Sequence, residues 1–145
     1  MSDHPPVTFL RRLGAIFYDA LLFGGTIFIV GGILATVISR LLGLESIPPG
    51  SPLANAFFVF YVLLSFLMFG WFWTHDGQTL GMRAWKIRVI TDSGQELNWQ
   101  QAFFRFVAAL FSWVCFGVGF LISIFDKEKL SWHDRFSRTR LIRIQ

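Results

Sequence analysis

Arg11-Arg12-Leu13-Gly14-Ala15-Ile16-Phe17-Tyr18-Asp19 runs directly into an uncharged stretch from Ala20 to Ser39. The stretch is long enough to be a membrane helix, since about 20 apolar residues at 1.5 Å rise cross a hydrocarbon layer of roughly 30 Å. The span predicted from about 13 to 39 exceeds that length, so it tilts or reaches into the interface. It is also longer than a signal-peptide core and lacks a small-residue cleavage site, which predicts an uncleaved span. Asp19 then lies where an unpaired charge is costly, and an intramembrane carboxylate marks either a functional site or a paired structural group. Arg12, Asp19 and Thr26 recur every seven residues, on one helical stripe predicted to face protein. On another face, Ala20, Gly24, Gly31, Ala35 and Ser39 form a small-residue stripe suited to close helix packing.

The composition of the whole chain agrees with that helix. Of 145 residues, 54% are hydrophobic and 15% charged, a balance that fits lipid better than water as the surrounding solvent. The net charge of +4 sits on residues flanking apolar runs and not on one polar face, so headgroups are the expected partner and nucleic acid is not. Cys115 is the sole cysteine, which rules out an internal disulfide and predicts a packing role.

Working outward, residues 1–8 are predicted to fray, and 40–52 turn on Pro48, Pro49, Gly50 and Pro52. A second span follows at about 53–74, ending in the aromatic belt Trp71-Phe72-Trp73, with Tyr61 and Ser65 on one face. Residues 75–105 leave the bilayer on the cytoplasmic side. Within them, 86–90 alternate as a strand, and Glu96 to Trp99 can return as the second strand of a small β-hairpin. The tail, 126–145, contains Arg138 to Ile144, which can also pair with 86–90. Between these lies a third apolar segment, 106–125, containing Gly117-Val118-Gly119. If it crosses the membrane, Lys and Arg divide 6 against 7 between the two sides. If it re-enters as a broken hairpin, all but Arg40 of the 13 fall on one side, which predicts a cytoplasmic N-terminus and favours re-entry. The predicted fold is therefore all-α and membrane-integral: two transmembrane helices, a third segment that re-enters or spans, and a small cytoplasmic β element. The chain forms one domain, 1–145.

Chemistry-bearing groups are few. His75-Asp76 and His133-Asp134 fall at predicted interfaces, but their spacing matches no metal motif, and hydrogen bonding or capping is the expected role. No nucleophile elbow, phosphate loop or Cys/His pair is present, so neither enzymatic chemistry nor a cofactor is expected.

Arg12-Leu13-Gly14-Ala15…Asp19, Gly77-Gln78-Thr79-Leu80-Gly81-Met82-Arg83…Ile87-Arg88-Val89 and Trp132-His133-Asp134…Thr139 together resemble the RDD family of small bacterial membrane proteins. The resemblance covers nearly the whole chain. It implies that Arg12, Asp19 and Asp134 are the arginine and two aspartates of the family name, and that the chain sits in the bacterial cytoplasmic (inner) membrane. Where the family usually has Gly before the C-terminal threonine, this chain has Arg138. It also implies transport of an unidentified ligand, including cation or proton exchange.

Two functional readings follow. In the first, Asp19 with Arg12 or Arg105 handles protons or small cations in a transport protein, and a homo-oligomer supplies the pathway that two or three helices hardly enclose. In the second, the chain is a membrane scaffold or accessory subunit. Its charges then fix helix packing, with Asp19 paired to Arg12 or, preferably, Arg105, and its cytoplasmic face docks a membrane partner. Arg12, Asp19, Arg105 and Asp134 are the candidate network, with Thr26, His133 and Asp76 as secondary members. The ligand is not named by the sequence.

Overall fold

The computed structural model of the chain describes residues 7–144. Most of the predicted frayed start lies outside that range; within it, Val7 is only 1% exposed and belongs to the core. Helix α1 (Phe9–Asp19) passes through a π turn (Ala20–Gly24) into α2 (Gly25–Leu41), forming one 33-residue apolar helix longer at both ends than predicted. A π turn inserts one extra residue into the helical ladder, which rotates everything beyond it by about 100°. Arg12, Ala15 and Asp19 are accordingly buried below the turn, while Thr26 above it is exposed and its Oγ1 donates to the Leu22 carbonyl at 2.6 Å. The seven-residue stripe breaks there. Of the small residues, Gly31 packs on Tyr61 and Ser39 is buried, whereas Gly24 faces open space.

Helix α3 (Pro52–His75) matches its prediction to within one residue at each end. Ser51 caps it by accepting from the Ala54 amide at 3.2 Å, and Pro52 takes the first turn, where its missing N–H costs nothing. The outer faces of both long helices are strongly apolar, with Phe28 81% and Phe58 69% exposed, as suits side chains that meet lipid.

The chain then forms α4 (Leu80–Ala84), β1 (Ile87–Thr91), α5 (Trp99–Val114), α6 (Val118–Phe125), α7 (Trp132–Ser137) and β2 (Thr139–Arg143). Helix α5 starts seven residues before the apolar run because Asn98 and Gln101 cap each other's amides, at 2.8 and 3.1 Å. The third segment is broken. Helices α5 and α6 are bent by 99° at Phe116 and Gly117, which both adopt left-handed backbone. Gly117 does so without strain.

The predicted return strand at 96–99 does not form, since Trp99 opens α5 and Leu97 is buried in the core. The sheet partner is the tail. β1 pairs antiparallel with β2, setting Ile87 opposite Arg143, Val89 opposite Leu141 and Thr91 opposite Thr139. The turn before β2 uses Arg138 in a left-handed conformation, φ 52°, at the position where the resemblance leads one to expect Gly. Because the two strands are hydrogen-bonded, the apolar α5–α6 segment between them leaves from and returns to the same end of the bundle. The core collects at that end, where Trp73, Met82, Ile87, Val89, Ala102 and Phe106 pack together.

Candidate functional site

The first turn of α7 places Asp134 at the centre of a charge cluster. The Ser131 amide donates to its Oδ2 at 3.0 Å, fixing the carboxylate at the helix start. Arg12 Nη1 from α1 donates to the same oxygen at 2.5 Å, and Arg105 Nη1 from α5 donates to Oδ1 at 2.6 Å. Arg12 Nη2 also reaches the Lys129 carbonyl at 2.6 Å, and Arg105 Nη1 reaches Thr139 Oγ1 at 2.9 Å. Asp134 is fully enclosed, and the two arginines are 6% and 2% exposed. Burial alone would raise the Asp134 carboxyl; the Arg105 and Arg12 guanidiniums reverse that and hold it well below the usual carboxylate range. Next to it, burial pushes the His133 imidazole down to about 3, so that ring is neutral near pH 7, with Nε2 2.9 Å from Ser131 Oγ.

Asp19 belongs to a separate joint. Thr79 Oγ1 donates to its Oδ2 at 2.5 Å and the Gly81 amide to its Oδ1 at 2.8 Å. Thr79 Oγ1 also accepts from the Met82 amide at 3.2 Å, so the hydroxyl that caps α4 is the one that binds Asp19. Gly81 permits the approach, since a Cβ there would stand 2.2 Å from the Ala15 carbonyl oxygen. The preferred pairing of Asp19 with Arg105 is thereby corrected. The tail sheet carries Asp134 between the two arginines and so takes up Arg105, while Asp19 bonds to α4.

The remaining candidates divide. His133 joins the cluster, but Thr26 faces outward, and Asp76 forms a surface ion pair with Arg83 in which both side chains are about half exposed. Among the described residues no three His, Cys, Asp or Glu side chains converge in a metal-ligating group.

Between the two joints lies a cavity of about 400 Å³. Arg12, Asp19, Tyr61, Ser65, Arg105 and His133 contribute to its wall, which brings the predicted Tyr61–Ser65 face of α3 onto the charged face of α1. The rest is largely apolar, with Phe69, Leu110 and Trp113 prominent. Trp73 closes the charged end, with the Arg105 guanidinium 5.3 Å from its ring centroid.

Sequence reasoning did not place Thr79, Gly81, Ser131, Trp73 or Thr139 in the site. Ser131 had a readable signal, the Ser-x-x-Asp spacing of a capping box. Thr79 and Gly81 lay inside one of the motifs that carry the resemblance, and nothing local to Thr79 points to a carboxylate 60 residues away.

A family model described as RDD family matches residues 6–138, nearly the whole chain. No curated protein and no solved structure matches it.

Proposed function

We propose that this chain, which belongs to the RDD family, is a transport-type integral membrane protein that holds a small ligand in the cavity between α1, α3, α5 and α7. One observation carries the reading: a cavity of about 400 Å³ in a membrane-type bundle is walled at once by Asp19, Arg105 and His133. Buried ionisable groups beside a partly open cavity in a membrane bundle mark substrate and ion pathways. Asp19 is the coupling group in this reading. Gain or loss of a proton or cation at its carboxylate alters its bonds to Thr79 and Gly81, and with them the seating of α4 on α1. The protein is not an enzyme.

The setting is the bacterial inner membrane with the N-terminus cytoplasmic. In support, the ion pair from Arg12 to Asp134 and the β1–β2 pairing gather the start of the first span, the 77–98 segment and the tail at one end. A re-entrant α5–α6 hairpin then leaves only Arg40, of all Lys and Arg, at the other. A homo-oligomer completes the pathway.

The experiment is flux into reconstituted vesicles carrying a trapped pH-sensitive dye, with a sodium or potassium gradient imposed. Wild type should move protons against the cation and Asp19→Asn should do so far more slowly while keeping its fold. Absence of wild-type flux, or an unchanged rate in folded Asp19→Asn, sinks the reading.

A second reading has its own support. Asp134 ties α1, α5 and α7 through two buried arginines, as a scaffold or accessory subunit would need. It predicts that Asp19→Asn changes oligomer size or partner capture and not flux.

A further inference from the structure

The charges around the cavity do not balance locally. Arg12 and Arg105 share the single carboxylate of Asp134, and His133 beside them carries no charge near pH 7. The buried cluster therefore holds one positive charge in excess. Asp19, the other buried carboxylate on the wall, is engaged by Thr79 and Gly81 and forms no ion pair with either arginine. A buried guanidinium with no counter-charge is costly, and an anion in the adjoining space relieves that cost.

Several donors around the cavity are unpartnered, Arg12 Nε among them, and Arg105 offers two side by side. Arg105 directs Nη1 to Asp134 and Thr139, whereas its Nε has no partner and its Nη2 donates to no described residue. Nε–H and the adjacent Nη2–H form one parallel edge of a guanidinium, the edge that grips two oxygens of a carboxylate or phosphate. Trp73 Nε1 and His133 Nδ1, on side chains that also line the cavity, are unpartnered too. Away from this end the wall offers mostly aromatic and aliphatic surface, including Phe58, Phe69, Leu110 and Trp113.

We infer that the cavity binds an amphiphile with a single oxyanion head and an apolar tail. The head is a carboxylate or phosphate held by the Nε/Nη2 edge of Arg105, and the tail lies along α3 and α5. This rests on the cavity being the ligand site, and it adds the chemical class. The same head chemistry is offered by a bilayer lipid and by a free fatty-acid-like anion.

The test uses the full chain in discs of neutral lipid, titrated with 2-bromodecanoate, whose bromine quenches tryptophan at close range and here reports on Trp73. The ethyl ester of the same acid is the neutral control. Saturable quenching is expected, with the anion binding about tenfold more tightly than the ester, as loss of a charge-assisted bidentate pair implies. Trp73→Phe should remove most of the saturable signal. Arg105→Lys keeps a cation for Asp134 but lacks the parallel edge, and should weaken the anion and not the ester. Ala109→Phe fills the cavity away from the cluster and should abolish binding of both, which keeps the test decisive if arginine variants do not fold. Doping the disc with phosphatidate separates the sources: competition assigns the site to a bilayer lipid, and no competition assigns it to a free amphiphilic anion. Displacement by inorganic phosphate alone overturns the amphiphile. Equal binding of acid and ester, both lost in Ala109→Phe, overturns the anionic class but leaves a ligand cavity standing. Quenching that ignores Ala109→Phe is partition into the bilayer and overturns the site itself. Absent vesicle flux with the expected quenching would instead remove the transport reading and leave the ligand class.

Discussion

Arg12 and Asp134 stand 122 positions apart in sequence and 2.5 Å apart in space. Arg105 meets the other oxygen of the same carboxylate at 2.6 Å, so one side chain on a six-residue helix joins the first membrane helix to the third apolar segment. Neither arginine has another carboxylate partner among the described residues.

Asp134→Asn should therefore be among the most damaging single substitutions. It leaves two buried guanidiniums without a counter-charge, and removing one partner from a buried ion pair costs about 3–5 kcal/mol. Denaturant unfolding of the detergent-solubilised protein measures this, and a loss below about 1 kcal/mol would show the cluster to be wetter than its burial implies.

The joint at Asp19 should respond more gently. Asn retains an acceptor for the Gly81 amide and can donate to Thr79 Oγ1, so Asp19→Asn should cost about 1–2 kcal/mol, while Asp19→Ala strands both partners and should cost more. Hydrogen exchange at the Gly81 amide is the local readout. It should quicken in both variants, and no change in Asp19→Ala would mean the bond does not hold α4 in place.

Two glycines make a contrasting pair. A Cβ at Gly81 would lie 2.2 Å from a backbone oxygen, so Gly81→Ala must push α4 off α1, whereas Gly32 in α2 has open space around it. Gly81→Ala should lower the unfolding midpoint sharply. Gly32→Ala should be neutral or raise stability by about 0.5–1 kcal/mol through lower backbone entropy in the unfolded chain.

How much of this was legible beforehand can be judged from particular residues. Arg12 and Asp19 announced themselves because charges in an apolar run are rare. The α5–α6 bend was signalled by Gly117, while alternation at 86–90 announced a strand but left two partners open, 96–99 and the tail, of which only the tail pairs. Thr26 was misplaced because a π turn shifts the helix by one residue, and no side-chain pattern encodes that shift. The true partner of Arg105 was hidden for a different reason: which carboxylate reaches it depends on where the tail strand docks, a contact between distant segments.

Acid should destabilise the protein in two stages. His133 is held at about 3 in the folded chain against an ordinary value of 6.5, so below pH 6.5 the unfolded state gains a proton that the folded state refuses. Stability then falls with pH by up to about 1.4 kcal/mol per pH unit. Asp134, held below its ordinary value of 3.8, adds a further loss only under about pH 4. Thermal unfolding at pH 7, 6, 5 and 4 should show the decline beginning above pH 5 in wild type and flattened over that range in His133→Gln.

Topology can be read by labelling. Ser137 is 2% exposed and unsuited to a reporter, but Phe136 is 72% exposed. In a Cys115→Ala background, Phe136→Cys should react only from the cytoplasmic side and Leu44→Cys, in the 40–52 connection, only from the opposite side. Labelling of both from one side would rule out the re-entrant hairpin.

The pairing of β1 with β2 also sets an order of events during biosynthesis. Arg12 and Arg105 leave the ribosome before Asp134, and Ile87 to Thr91 before the strand that completes their sheet. Until residues 131–143 have left the ribosome, the nascent protein has no carboxylate for Arg12 and Arg105 to share and one strand with an open edge. Insertion of the long helices and closure of the fold are consequently separate steps.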